Sequence, residues 1–250
     1  MILATFSTLE DQGIYSFASN YGGLVARMVF QPIEESSRNL WSKQLNTADK
    51  DKKEHKGQIE AARSHLTDIL RAYAILAVLA LGIGPDVVPI GLKTLMGSRW
   101  MSEKVQGLLS AYCCYIPFLA FNGVTEAFVS AAVSPADIRR QAAWMTVFTL
   151  CFGATSFLLL TVAKLGAFGL VLANIINMSV RTIWSLSFIR GYLRQNGSEI
   201  KVTDFSPNIQ TLGVLILAAS RKLIDYQPLG DGLYGMLAML AFAAIYGLLM

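Results

Sequence analysis

Apolar runs separated by short polar stretches govern this chain, and several are long enough to cross a bilayer core, which takes about 20 residues. The pattern predicts seven helices, at roughly 14–32, 66–90, 105–133, 141–163, 166–189, 209–219 and 232–250. The first is diluted by Asn20, Gly22, Gly23 and Arg27, so one of its faces is expected to line protein or water rather than lipid. Pro32 is expected to end or bend it. Gly82, Gly84, Pro85 and Pro89 interrupt the second run. The fourth is the most uniformly apolar, and the sixth is short. Between the first two runs, residues 42–64 are dense in Lys, Asp and Glu (KDKKEHKGQIE) and read as a solvated polar loop. The fold class this implies is all-α: a polytopic transmembrane bundle of about seven spans, forming a single domain over 1–250.

Composition agrees. The chain has 250 residues, of which 54% are hydrophobic and only 15% charged, against about 25% charged in a soluble domain. The mean hydropathy is +0.47. Placing the 42–64 loop in the cytosol puts twelve Lys and Arg on that side and six opposite, in accord with the positive-inside rule. Arg27, Arg71 and Arg181 are left within spans. Arg71 can snorkel from a helix end. The net charge of +4 fits an anionic lipid surface and calls for no nucleic-acid partner. Cys113, Cys114 and Cys151 fall in apolar runs as packing residues. His55 and His65 lie in or beside the polar loop, where a solvated role is expected. The triplet Asn196-Gly197-Ser198 matches a glycosylation acceptor but falls on the cytosolic side.

Charge near hydrocarbon is costly, so charged groups within spans are the candidate functional residues. Arg27 could receive an anionic headgroup such as a pyrophosphate, for which a five-donor guanidinium is suited. Its structural alternatives are an ion pair to Glu34 or Glu126, or snorkelling. Glu34 and Glu35 could gate a cavity, or simply meet nearby basic groups. Glu126 shares a helix face with Asn122 at i−4. Asn174, Asn177 and Arg181 form a polar stripe on the fifth span, either lining a cavity or joining helices. Among motifs, there is no phosphate-cradling glycine loop, nucleophile elbow or metal-ligand spacing. No cofactor, metal or catalytic residue is called for, and a transporter is expected rather than an enzyme.

Three segments carry a family resemblance: GIYSFASNYGGLVARMVFQPIEESSR (13–38), YIPFLAFNGVTEAFVSA (115–131) and KLGAFGLVLANIINMSVRTIWS (164–185). In wording, order and spacing they resemble the Rft family of dolichol-linked oligosaccharide translocation proteins. That family falls within the superfamily of multidrug, oligosaccharidyl-lipid and polysaccharide flippases. The resemblance implies two helix bundles facing each other across a cavity that opens to each membrane side in turn. It also implies residence in the endoplasmic reticulum membrane, and movement of Man5GlcNAc2-pyrophosphate-dolichol from the cytosolic to the lumenal leaflet for N-glycosylation. Arg27, Glu34, Glu35, Arg38, Asn122, Glu126, Asn174, Asn177 and Arg181 are the cavity residues it carries over. The implied partners are the dolichol diphosphate headgroup, membrane lipid and an N-terminal lobe, since the chain resembles only a C-terminal half. Rival readings are a non-transporting factor that supports dolichol-linked oligosaccharide assembly and a drug or metabolite antiporter. A membrane glycosyltransferase would want an acidic loop motif that residues 49–60 do not form.

Overall fold

The computed structural model describes residues 8–45, 52–82, 84–96, 102–134 and 137–205. The spans expected at 209–219 and 232–250 lie outside the described residues. Six helices form the body: α1 (Leu9–Leu45), α2 (Lys52–Gly82), α3 (Gly84–Met96), α4 (Glu103–Ala132), α5 (Ile138–Phe157) and α6 (Gly166–Gln195). One π-helical turn (Leu158–Val162) extends α5, and a 3-10 turn (Val202–Asp204) follows α6. No strand occurs among the described residues. Four helical stretches are long and apolar enough to cross a membrane: Glu54–Gly82, Glu103–Ala132, Ile138–Val162 and Gly166–Gln195. The chain is thus an all-helical membrane protein.

α4 is the hub. It packs against α1, α6, α2 and α3, and α5 rests on α6. Ser102 caps its start, its hydroxyl accepting from the Val105 N–H at 3.3 Å. Two apolar clusters form around it. One gathers Trp41, Ile59, Leu66, Leu70, Val124, Phe128, Ile189 and Leu193. The other gathers Ala18, Leu108, Tyr112, Ala167 and Val171. On α6, the polar residues 174–181 fall between the two. Leu150, Val162 and Ile183 are among many large apolar side chains left exposed, as a lipid-facing surface requires.

Two expectations fail for the same reason. Pro32 does not end the first helix: α1 runs through it to Leu45. An interior proline costs about 3 kcal/mol. Phe30, Ser37, Trp41 and Leu45, buried on either side of it, hold the helix against its neighbours. Nor do the described parts of 42–64 form a loop. Residues 42–45 finish α1 and 52–64 open α2. Ile59, Ala62 and Leu66, spaced i, i+3, i+7, are fully buried, so the charged segment carries an apolar stripe. Its charges sit on the outer face, where Arg63 and Glu60 pair at 2.6 Å.

Those charges also fasten the far end of α6. The Ser198 hydroxyl donates to Glu60 at 2.8 Å, Arg63 donates to the Glu199 carbonyl at 3.3 Å, and Arg71 donates to the Asp204 carbonyl. Arg71 is therefore tied to protein rather than left to snorkel. The sequon-like triplet is a helix stop. Gly197 adopts φ 73°, the Ser198 N–H bonds the Leu193 carbonyl at 2.9 Å, and the Gly197 N–H bonds that of Arg194 at 3.2 Å. His65 is half-buried, not solvated: its Nε2 lies 3.3 Å from the Ser37 hydroxyl and its ring meets Trp41 edge-on at 5.6 Å.

Trp41 has no exposed surface and also meets Phe128 at 5.1 Å. Trp41→Ala is expected to cost about 3–5 kcal/mol, read as a lower thermal unfolding midpoint of the purified chain in micelles. An unchanged midpoint would show that the α1 extension is not packed as described.

Candidate functional site: a polar centre between α1, α4 and α6

Three helices bring polar groups to one level. α4 contributes Asn122 and Glu126, one turn apart; the Asn122 amide donates to Glu126 Oε2 at 3.3 Å. Arg181 arrives from α6 and grips the same carboxylate with two nitrogens. Its Nε donates to Oε1 at 2.9 Å, and Nη2 donates to Oε1 at 2.6 Å and Oε2 at 2.8 Å. Both side chains are about three-quarters buried, at 25% and 22% exposure. A planar guanidinium on a carboxylate fixes orientation as well as distance. Met145 of α5 closes the outer side, its sulfur 3.8 Å from Nη2.

Glu34 comes in from α1, and Gly123 admits it. A Cβ at position 123 would lie 1.9 Å from Glu34 Oε1 and 2.3 Å from its carboxyl carbon. No other residue type fits there with Glu34 in place. Glu126 and Glu35 are both close enough for their charges to act on Glu34. Asn122 is 5% exposed, and its carbonyl oxygen has no hydrogen-bond partner among the described residues. The centre thus holds two carboxylates, one guanidinium and an idle acceptor in a mostly apolar setting.

The remaining candidates separate from this cluster. Asn174 joins α6 to α1 by donating to the Tyr15 hydroxyl at 3.3 Å, and also donates to the Leu170 carbonyl at 2.9 Å. Asn177 is half-buried on the same helix. Arg27, Glu35 and Arg38 are exposed along α1. Glu35 accepts from the Gln31 amide at 2.9 Å. Arg27 folds back to the Gly23 carbonyl at 3.2 Å, and no described carboxylate lies within ion-pair distance of it. Glu126, offered as one of its partners, is taken by Arg181. Sequence reasoning passed over Gly123, Tyr15 and Met145. For Gly123 the signal was present: a glycine flanked by Asn122 and Val124 on a helix that otherwise avoids interior glycine near its polar face.

The family model described as Rft protein matches residues 1–249. The chain belongs to the Rft family. Among curated relatives of the family, the Man(5)GlcNAc(2)-PP-dolichol translocation protein RFT1 of Yarrowia lipolytica is 36% identical over 93% of this chain and 34% of its own length. The protein of the same name from Saccharomyces cerevisiae is 34% identical over 92% of the chain and 39% of its own length. The mouse protein is 32% identical over 84% and 38%. The chain therefore spans little more than a third of the family members it matches. No solved structure matches it.

If Arg181 and Glu126 act as one unit, Arg181→Gln and Glu126→Gln should each destabilise the chain, and the double variant by less than their sum. A coupling of about 2 kcal/mol is expected in a double-mutant cycle, and additive losses would refute the pairing. Gly123→Ala should cost about 1–3 kcal/mol through overpacking. The same change in a Glu34→Ala background should cost markedly less, because the clashing carboxylate is gone.

Proposed function

We propose that this chain is the C-terminal lobe of a translocator that moves Man5GlcNAc2-PP-dolichol from the cytosolic to the lumenal leaflet of the endoplasmic reticulum membrane for protein N-glycosylation. The observation that carries the reading is the match, over more than nine-tenths of this chain, to proteins named for translocation of that lipid. The work is transport, without a covalent step. An N-terminal lobe completes the cavity, the protein passes the membrane several times, and the charged start of α2 faces the cytosol.

Two features of the residues support this. A diphosphate leaving water for a cavity needs cations that are not already neutralised. Arg27 is exposed, has no described carboxylate partner, and lies on a long helix that, among the described residues, is too polar to count with the four apolar spans. In this reading α1 faces the cavity, and Arg27 with Arg38 receives the headgroup. Glu34 and Glu35 both sit about two turns on from Arg27, as acceptors for sugar hydroxyls or as a charge barrier to the diphosphate. Arg181 and Glu126 neutralise each other and hold α6 on α4, so the wall behind the cavity is rigid. The polyprenyl tail stays in lipid throughout, where its transfer costs nothing.

Cells depleted of the protein should accumulate the five-mannose dolichol intermediate and underglycosylate their proteins, read from a lipid-linked oligosaccharide profile. An unchanged profile would remove the proposal. Arg27→Ala should lower rescue of that profile by about tenfold or more, the loss expected for one charged contact, at unchanged protein level and thermal midpoint. Full rescue by Arg27→Ala would instead favour a non-transporting role in oligosaccharide-lipid assembly.

A further inference from the structure

Away from the polar centre, at the end of the bundle where α4 stops and α5 begins, lies a cavity of about 570 Å³ walled by α5 and α6. Its size falls within the roughly 300–1,000 Å³ of small-molecule sites. Aromatic rings form one continuous wall. Trp184, Phe188 and Tyr192 follow one another at i, i+4, i+8 on α6, stacked at interplanar angles of 27° and 15°. Trp144 of α5 joins them, 6.4 Å from Trp184. Among these rings sits Gly191. An interior helix glycine costs about 1 kcal/mol relative to alanine, and close packing does not demand this one: a Cβ there would meet nothing within 4 Å. What the missing side chain does is leave the cavity open. The rim is polar. Gln141 and Gln195 line it with side-chain amides that bond to no described residue, and Arg140 stands exposed beside them.

We propose that this cavity is a carbohydrate subsite, taking one or two pyranose rings of the oligosaccharide headgroup; the assignment rests on the function proposed above. The C–H edges of a pyranose carry weak positive charge and lie favourably on the negative face of an aromatic ring. Its hydroxyls need both donors and acceptors, which a primary amide supplies together. A row of rings with amides at the rim, and a floor cleared by glycine, offers both. A belt of aromatics that merely anchors helices at the lipid headgroups would need neither the concavity nor the glycine. The cavity stands at the helix ends that carry Arg139, Arg140, Arg190 and Arg194, the side assigned to the cytosol, where the headgroup would first be met.

The test uses the purified chain in a detergent without a sugar headgroup, with free Man5GlcNAc2 glycan lacking lipid as the probe. Saturation-transfer NMR should show magnetisation passing from protein to pyranose ring protons. Gly191→Leu, whose Cβ would meet nothing within 4 Å, and Trp184→Ala should each weaken binding by about tenfold, with helicity by circular dichroism unchanged. Lys104→Gln, exposed at the opposite end of α4, should not weaken it. Absence of transfer to the unmodified chain, or equal binding by Gly191→Leu, overturns the proposal. So does quenching of tryptophan fluorescence by brominated phosphatidylcholine that the glycan does not relieve, for then the cavity holds lipid. The two readings can fail separately. Glycan binding sensitive to Gly191→Leu, with a normal oligosaccharide profile in depleted cells, removes the translocation step and keeps the subsite. An altered profile with no binding does the reverse.

Discussion

The grip of Arg181 on Glu126 is the constraint around which this bundle is arranged. Helices in a membrane gain little from burying apolar surface against one another, because lipid offers the same apolar contact. Something more directional must choose which faces meet. Here a guanidinium from α6 and a carboxylate from α4 join through three hydrogen bonds of 2.6–2.9 Å. Leaving either charge unpaired at that depth would be costly, so the register of α6 on α4 is set to within the reach of that contact. The rotations of both helices follow. With α4 turned to present Glu126, Asn122 one turn earlier falls on the same face, and Phe128 is carried into the cluster that Trp41, Ile189 and Leu193 complete.

α1 approaches this pair against electrostatics. Its Glu34 is brought up to a centre that already holds one carboxylate. Position 123 makes the approach possible sterically: without a side chain there, the carboxylate reaches the backbone of α4. Two negative groups and one positive group then share a poorly hydrated space. Such an excess responds to whatever cation or hydrogen-bond donor enters next, and Asn122 keeps an acceptor idle beside it. The apolar clusters on either side fix the helices firmly enough for this unbalanced centre to persist.

Much of this was legible in the sequence, and what was not has identifiable causes. The helices at 103–132, 138–157 and 166–195 followed from hydropathy alone, since runs of lipid-facing residues leave little choice of structure, whereas the run expected at 66–90 is divided between α2 and α3. The i, i+4 spacing of Asn122 and Glu126 placed them on one face, and Arg181 stood out as a charge in an apolar run. Which cation met Glu126 was not legible: Arg27 and Arg181 are equivalent to local pattern, and only packing decides between them. Pro32 and the charged segment at 52–64 misled because local preference was overruled by burial elsewhere. In the first case Trp41 and Leu45 lie beyond the proline; in the second, an apolar stripe of Ile59, Ala62 and Leu66 hides among lysines and glutamates. Asn196-Gly197-Ser198 looked like a modification signal and is a helix stop, where the left-handed glycine and the Ser198 N–H serve the backbone.

The fates of Arg27 and Arg181 separate structure from function more sharply than either does alone. Both are guanidiniums on helices that border the same polar centre. One has its charge neutralised by a bidentate carboxylate and a thioether at its back. The other curls onto the Gly23 carbonyl of its own helix. A guanidinium held by one backbone carbonyl keeps most of its donors available, and in a dehydrated setting it would find a carboxylate if one were meant to satisfy it. Glu126 was one of the two carboxylates open to Arg27 as a partner, yet geometry gives it to Arg181. The centre therefore spends its own acid on fastening helices and leaves Arg27 uncommitted on the face of the most polar long helix. In the function proposed above, that division keeps the wall rigid and leaves a cation free for an anionic headgroup.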